Sequence, residues 1–233
     1  MREIVLDTET TGLDPADGHR VVEIGCVEVL NCIPTGQIFH RYLNPERDMP
    51  ADALKVHGLS RDFLADKPRF AEIIDEFLDF LGDARLVVHN AEFDLRFLNA
   101  ELARPQRPPL GMDRVLDTLA LARRRHPGQP NSLDALCARY GIDASRRTTH
   151  GALLDAEILA EVYAELSGGR QTSLRLGTIA GIAQKVLVHG LRQRPAPLTS
   201  RLTQLEAAAH AAFVATFESA PLWNLYLEPA VPV

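Results

Sequence analysis

The opening run Glu3-Ile4-Val5-Leu6-Asp7-Thr8-Glu9 restricts the fold more than any other segment. It is apolar and β-branched, then stops at Thr10-Thr11-Gly12, the pattern of a buried strand that ends in a turn. Side chains at i and i+2 share one face of a strand, so Asp7 and Glu9 project side by side from its end. Like charges so close are costly unless a cation lies between them or one keeps a proton. Hard oxygen ligands of this kind suit Mg²⁺ or Mn²⁺. An isolated D-x-E is more often a strand end with exposed acids at a turn, so the pair gains meaning only if the chain brings further ligands to it.

The runs that follow define the fold class. RVVEIGCVEVL and QIFHRYLNP read as two more strands, close enough to the first for an antiparallel meander. RFAEIIDEFLDFLGD places Phe70, Ile73, Ile74, Phe77, Leu78 and Leu81 on one helical face and stops at Gly82. RLVVHN is a short buried strand, and AEFDLRFLNAEL a helix before Pro105. VLDTLALARRR predicts a strand running into a helix, NSLDALCARYG a helix capped by Asn or Ser and closed at Gly141, and HGALLDAEILAEVYAELSGG a long amphipathic helix. Strands first, then strands alternating with helices, imply an α/β chain with a mixed sheet and helices packed on it. We expect a domain over 1–169, a linker over 170–200 and a tail over 201–233, where Leu202, Leu205, Ala209, Ala212, Phe213 and Phe217 recur at helical spacing.

A net charge of −6 argues against a module that grips nucleic acid unaided, because that affinity comes mainly from Lys and Arg on phosphates. It does not exclude a nuclease, whose bound cations invert the local field. We infer weak intrinsic substrate affinity and delivery by a partner. The three cysteines form no C-x-x-C pair, and Cys26 and Cys137 sit in apolar patterns, as expected of buried thiols in a reducing, cytoplasmic compartment. The first residues carry no basic stretch followed by an apolar run, so a signal peptide is not expected.

Further candidate ligands lie downstream. Asp94 in VVHNAEFDLRFL falls in the first turns of a helix after a buried strand, at the strand end where ligands gather in α/β sheets; a helix N-terminal acid is the bland alternative. His150 and Asp155 stand five apart in THGALLDAEIL, about 500° of helix, so they share no face unless His150 lies in the preceding loop. A His there can take a proton from water near neutral pH; as a lone residue it is more often a cap or a surface group.

Taken together, DTETTG, HNAEFD and H-x₄-D resemble the three exonuclease motifs of the DEDD superfamily in its His-containing branch. Within that branch, NSLDALCARYGIDASRRTTHGALLDAEILAEVYAELSGG is similar almost throughout to the family of epsilon proofreading subunits of bacterial DNA polymerase III. The resemblance covers roughly three quarters of the chain. It implies a ribonuclease-H-like fold with a mixed five-stranded sheet, and a 3′→5′ exonuclease that removes nucleoside 5′-monophosphates from a DNA end. It implies metal carboxylates at Asp7, Glu9, Asp94 and Asp155 and a general base at His150. His57, and the acid five residues before it, would lie near the bound nucleotide; that acid is Glu in familiar members and Asp52 here. The bland reading of His57 is a cation at a helix C-terminus.

Two divalent ions can serve both oxygens of an in-line phosphoryl displacement. On this reading Asp7 bridges both ions, Glu9 and Asp155 hold the nucleophile side, and Asp94 acts on the leaving-group side. Gln171-Thr172-Ser173-Leu174-Arg175-Leu176 looks like a sliding-clamp peptide, with Gln171 for polar register and Leu174 and Leu176 for an apolar pocket. The resemblance implies that the tail, with Trp223, docks on the polymerase III alpha subunit. Competing readings are an RNA 3′-end-trimming enzyme of the same superfamily and a non-catalytic polymerase scaffold.

Overall fold

The structure is a computed structural model, and it describes residues 1–147, 149–168 and 202–217. Five strands form one mixed sheet in the order β3-β2-β1-β4-β5. β1 (Arg2–Thr10), β2 (Val21–Leu30) and β3 (Ile33–Tyr42) are the expected antiparallel meander. β4 (Arg85–Val88) runs parallel to β1, and β5 (Val115–Asp117) parallel to β4. β1 is therefore central, and its apolar run is buried because both faces of the sheet are covered.

Alternation along β1 assigns each side chain to a layer. Ile4 and Leu6 enter a core with Ile24, Cys26 and Phe39, covered by α3 (Phe70–Leu81) and α4 (Ala91–Ala103). α3 buries Phe70, Ile73, Ile74, Phe77 and Leu81, the predicted stripe, each contributing about 1.5–3 kcal/mol on burial. Val5 faces the other way and packs with Val27, Val29 and Val87 against Ala156, Leu159, Ala160 and Tyr163 of α7 (Ala152–Leu166). α5 (Thr118–Arg125) and α6 (Leu133–Tyr140) lie on the outer side of α7 through Ala122, Leu136, Cys137, Ile158 and Val162. Ser132, not Asn131, caps α6, with its side chain accepting from the Ala135 N–H.

Two short helices follow, α1 (Ala51–His57) and α2 (Arg61–Leu64); the sequence points to a helix end at His57 but not to α2. Neither is long enough to show an apolar period, and Pro50 at the α1 N-cap offers no side-chain acceptor. β3 also starts earlier than its alternating stretch suggests, because residues 33–38 pair with β2 while their side chains stay exposed and leave no apolar alternation to read. The described residues 202–217 belong to a unit separate from the one that holds the sheet. They hold α8 (Gln204–Val214), with Thr203 and Glu206 closing a capping box. Leu205, Phe213 and Phe217 are exposed. The expected linker, the peptide Gln171, Leu174 and Leu176, and Trp223 lie outside the described residues.

Candidate active site

The site forms where β1 ends beneath the start of α7. Glu3, Val5, Asp7 and Glu9 share the face that α7 covers, and Asp155, Leu159 and Tyr163 form an i, i+4, i+8 stripe on the helix. Tyr163 Oη donates to Glu3 Oε1 at 3.0 Å and closes the far end of this interface. Eight residues of helix and four of strand both span roughly 12–13 Å, so the same alignment brings Asp155 over Asp7 and Glu9. Close approach is possible because Gly25, the β2 partner of Asp7, has no side chain. A Cβ there would lie 2.3 Å from the Ala152 carbonyl carbon and the Leu153 nitrogen.

Asp94 reaches the cluster from the opposite layer. α4 starts directly after β4, with Asn90 in the left-handed region (φ 67°) that Asn tolerates. Asp94 is buried in the first turn, and Thr8 Oγ donates to its Oδ1 at 2.7 Å. His150 lies in the loop before α7, the one arrangement that lets it face Asp155. Its backbone N–H donates to the Val56 carbonyl at 3.1 Å, and its Nδ1 stands 3.4 Å from Asp155 Oδ2. Glu9, His150 and Asp155 each offer one ligand atom within 4.8 Å of the others. Asp7, Glu9, Asp94, His150 and Asp155 all line one cleft of about 850 Å³.

The crowding shows in the proton affinities. Burial raises the Asp7 carboxyl well above the ordinary carboxylate value, and Asp94, Glu9 and Asp155 push it further. Burial, then Asp155 and Glu23, lifts Glu9 from 4.5 to about 8. Asp94 rises from 3.8 to about 7 through burial, with the Thr8 hydroxyl pulling the other way. Four oxygen-donor side chains converging at such electrostatic cost fit a divalent cation, whose charge would remove that cost.

A second cleft of about 540 Å³ shares Thr8, Glu9 and Phe93 with the first and is lined by Asp52 and His57. His57 Nδ1 accepts from the Leu59 N–H at 3.0 Å, so the neutral ring carries its proton on Nε2, which is buried without a partner. Burial lowers its pKa against the pull of Glu23, so a neutral donor replaces the helix-terminal cation. Asp52 lines the same cleft, but its side chain is 98% exposed and 3.5 Å from Lys55, so nothing in the protein orients it firmly.

Sequence reasoning missed three contributors. Arg147 inserts between Asp155 and His150, with its Nε 2.5 Å from Asp155 Oδ1 and its Nη2 2.7 Å from His150 Nδ1. Thr8 orients Asp94, and Glu23, opposite Glu9 in the β1–β2 register, holds His40 Nε2 at 2.7 Å. Thr8 lies within the first motif and was legible by position. Arg147 and Glu23 carry no local signal, since only the fold brings them in.

A central strand ending in paired acids, a third acid from the next layer and a fourth on the crossing helix beside a histidine define a metal-dependent nuclease. The chain belongs to the exonuclease family, which it matches over residues 4–163. It is similar to the DNA polymerase III subunit epsilon of Rickettsia felis, 54% identical over 179 residues that make up 76% of this chain and 78% of the relative. It is also similar to that of Escherichia coli K12, 48% identical over 223 residues and 91% of each chain. Among solved structures, Exonuclease X in complex with 5′-overhanging duplex DNA shares the fold at TM-score 0.56 and 28% identity, over 70% of this chain and 89% of that one. Exonuclease I, at TM-score 0.63 and 18% identity over 71% of this chain and 40% of that one, shows the fold alone. The ribonuclease-H-like sheet and the 3′→5′ exonuclease activity with divalent-metal dependence therefore hold as expected.

Proposed function

We propose that this exonuclease proofreads for a bacterial replicative polymerase, using Asp7, Glu9, Asp94 and Asp155 to hold two Mg²⁺ or Mn²⁺ ions and His150 as general base. The observation that carries the reading is the convergence of all five side chains on one cleft from β1, α4, α7 and the loop before it. Asp7, Glu9, Asp94 and Asp155 would hold the cations, whose charge would offset that developing on the scissile phosphate. His150, half exposed at the cleft mouth, takes a proton from the attacking water. Thr8 holds Asp94 in place for its role on the leaving-group side. The second cleft receives the terminal nucleoside, with His57 in its lining and Phe93 as the shared wall. The products are a nucleoside 5′-monophosphate and a shortened strand with a new 3′-hydroxyl.

The partners follow the same reading. The epsilon relatives are named as polymerase III subunits, which favours a DNA end over RNA and a place in the bacterial cytoplasm. We assign alpha-subunit docking to the tail after residue 200 and clamp binding to Gln171, Leu174 and Leu176. The test is to incubate the purified chain with 3′-mismatched DNA and with RNA, each with Mg²⁺, Mn²⁺ or chelator. Metal-dependent release of deoxynucleoside 5′-monophosphates is the expected outcome. Faster release from RNA would favour the end-trimming alternative, and 3′-monophosphate products would sink the mechanism.

A further inference from the structure

We propose that Arg147 is a positioning residue that stands in for a cation in the metal-free site and is displaced from Asp155 when a divalent ion binds. The inference rests on the metal-site reading above. The Arg147 guanidinium forks across both oxygens of Asp155, with Nε 2.5 Å from Oδ1 and Nη2 2.7 Å from Oδ2. Nη2 also lies 2.7 Å from His150 Nδ1. The side chain is only 10% exposed, so this is a seated contact and not a surface encounter.

A guanidinium donates and cannot accept, so His150 Nδ1 is an acceptor here, and its lone pair is occupied. One internal cation thus engages two of the three residues whose ligand atoms cluster within 4.8 Å, and it covers the basic nitrogen of the ring as well. A divalent ion on Asp155 would compete for the same oxygens and repel the guanidinium.

The geometry supplies a place for it to go. Arg147 Nη1 contacts Asp134 in the first turn of α6, a carboxylate whose side chain is 70% exposed at the cleft rim. The arginine can keep that anchor while releasing Asp155 and His150. The exchange moves no proton and breaks no covalent bond. It couples metal loading to uncovering of the base.

The test uses the full chain, stripped with chelator, and the variants Arg147→Gln and Arg147→Lys. Mn²⁺ binding is measured without DNA by calorimetry or by the electron paramagnetic resonance signal of free ion, and melting temperature with and without saturating Mn²⁺. Arg147→Gln should bind the first Mn²⁺ about tenfold more tightly, as expected when a bidentate charge-assisted competitor is removed. Arg147→Lys keeps the charge without the fork and should fall between. The rise in melting temperature on adding Mn²⁺ should be larger in Arg147→Gln than in the wild type. If that variant does not fold without metal, Arg147→Lys carries the comparison. Equal or weaker Mn²⁺ binding in the variants would overturn the inference, because a permanent brace of Asp155 would weaken the site when lost. Failure of the wild-type chain to bind Mn²⁺ would overturn the metal-site reading itself, and the inference with it.

Discussion

Asp7 and Glu9 show how a residue acquires a role from its surroundings. As a D-x-E pattern they are two acids at a turn; under α7, and beside Asp94, burial and neighbouring carboxylates raise the proton affinity of both. Two predictions belong at this scale. His150→Ala should lower the single-turnover rate by about 10²–10⁴ while leaving Mn²⁺ binding largely in place; an unchanged rate would remove His150 from the chemistry. The second concerns pH. Glu9 is raised from 4.5 to about 8 and Asp94 from 3.8 to about 7, so between those limits the folded chain holds protons that the unfolded chain has released. Stability then falls as pH rises through that window. The melting temperature of chelator-treated protein should decline from pH 4.5 toward about 8, and less steeply in Glu9→Gln. Parallel profiles for the two proteins would show that Glu9 is not strained.

At the scale of elements, the contact between β2 and α7 sets the site. Gly25→Ala places a methyl against backbone atoms of Ala152 and Leu153, which cannot rotate away. We expect about 1–3 kcal/mol of destabilisation in chemical denaturation, together with weaker Mn²⁺ binding because Asp155 is carried off with the helix. Loss of stability with metal affinity intact would show that Asp155 adjusts independently of the α7 backbone. Elements with a strong period were readable in advance: α3 through its apolar stripe, α7 through its length, β1 and β2 through their β-branched runs. α2 was not, and of α1, which carries His57 into the second cleft, only the C-terminal end at His57 was. Seven and four residues hold too little periodicity, and the burial of His57 depends on neighbours far away in sequence.

For the whole molecule, a net charge of −6 and a catalytic cluster of acids make a poor unaided grip on DNA, which argues for tethering. The exposed apolar residues of α8 belong to a unit separate from the catalytic one. Deleting residues after Ser200 should abolish binding to the polymerase subunit in a pull-down and leave exonuclease activity within about twofold, since the buried clusters around the site draw on residues before 167 alone. Retained binding would place the docking site elsewhere. Combined Gln171→Ala and Leu174→Ala should weaken clamp binding in calorimetry without changing hydrolysis; unaltered clamp affinity would dismiss the peptide.

The amino-acid sequence alone determined the fold class, the antiparallel meander, the long helices and the identity of Asp7, Glu9, Asp94, His150 and Asp155 as candidates. These follow from short-range rules: side-chain period, caps, turns and motif spacing. Only the tertiary structure decided that the acids share one cleft and that His150 faces Asp155. It also decided that His57 is buried and that Arg147 contacts both Asp155 and His150. The reason is physical: desolvation and charge coupling depend on distances through space, and those arise when β1, α4 and α7 pack together.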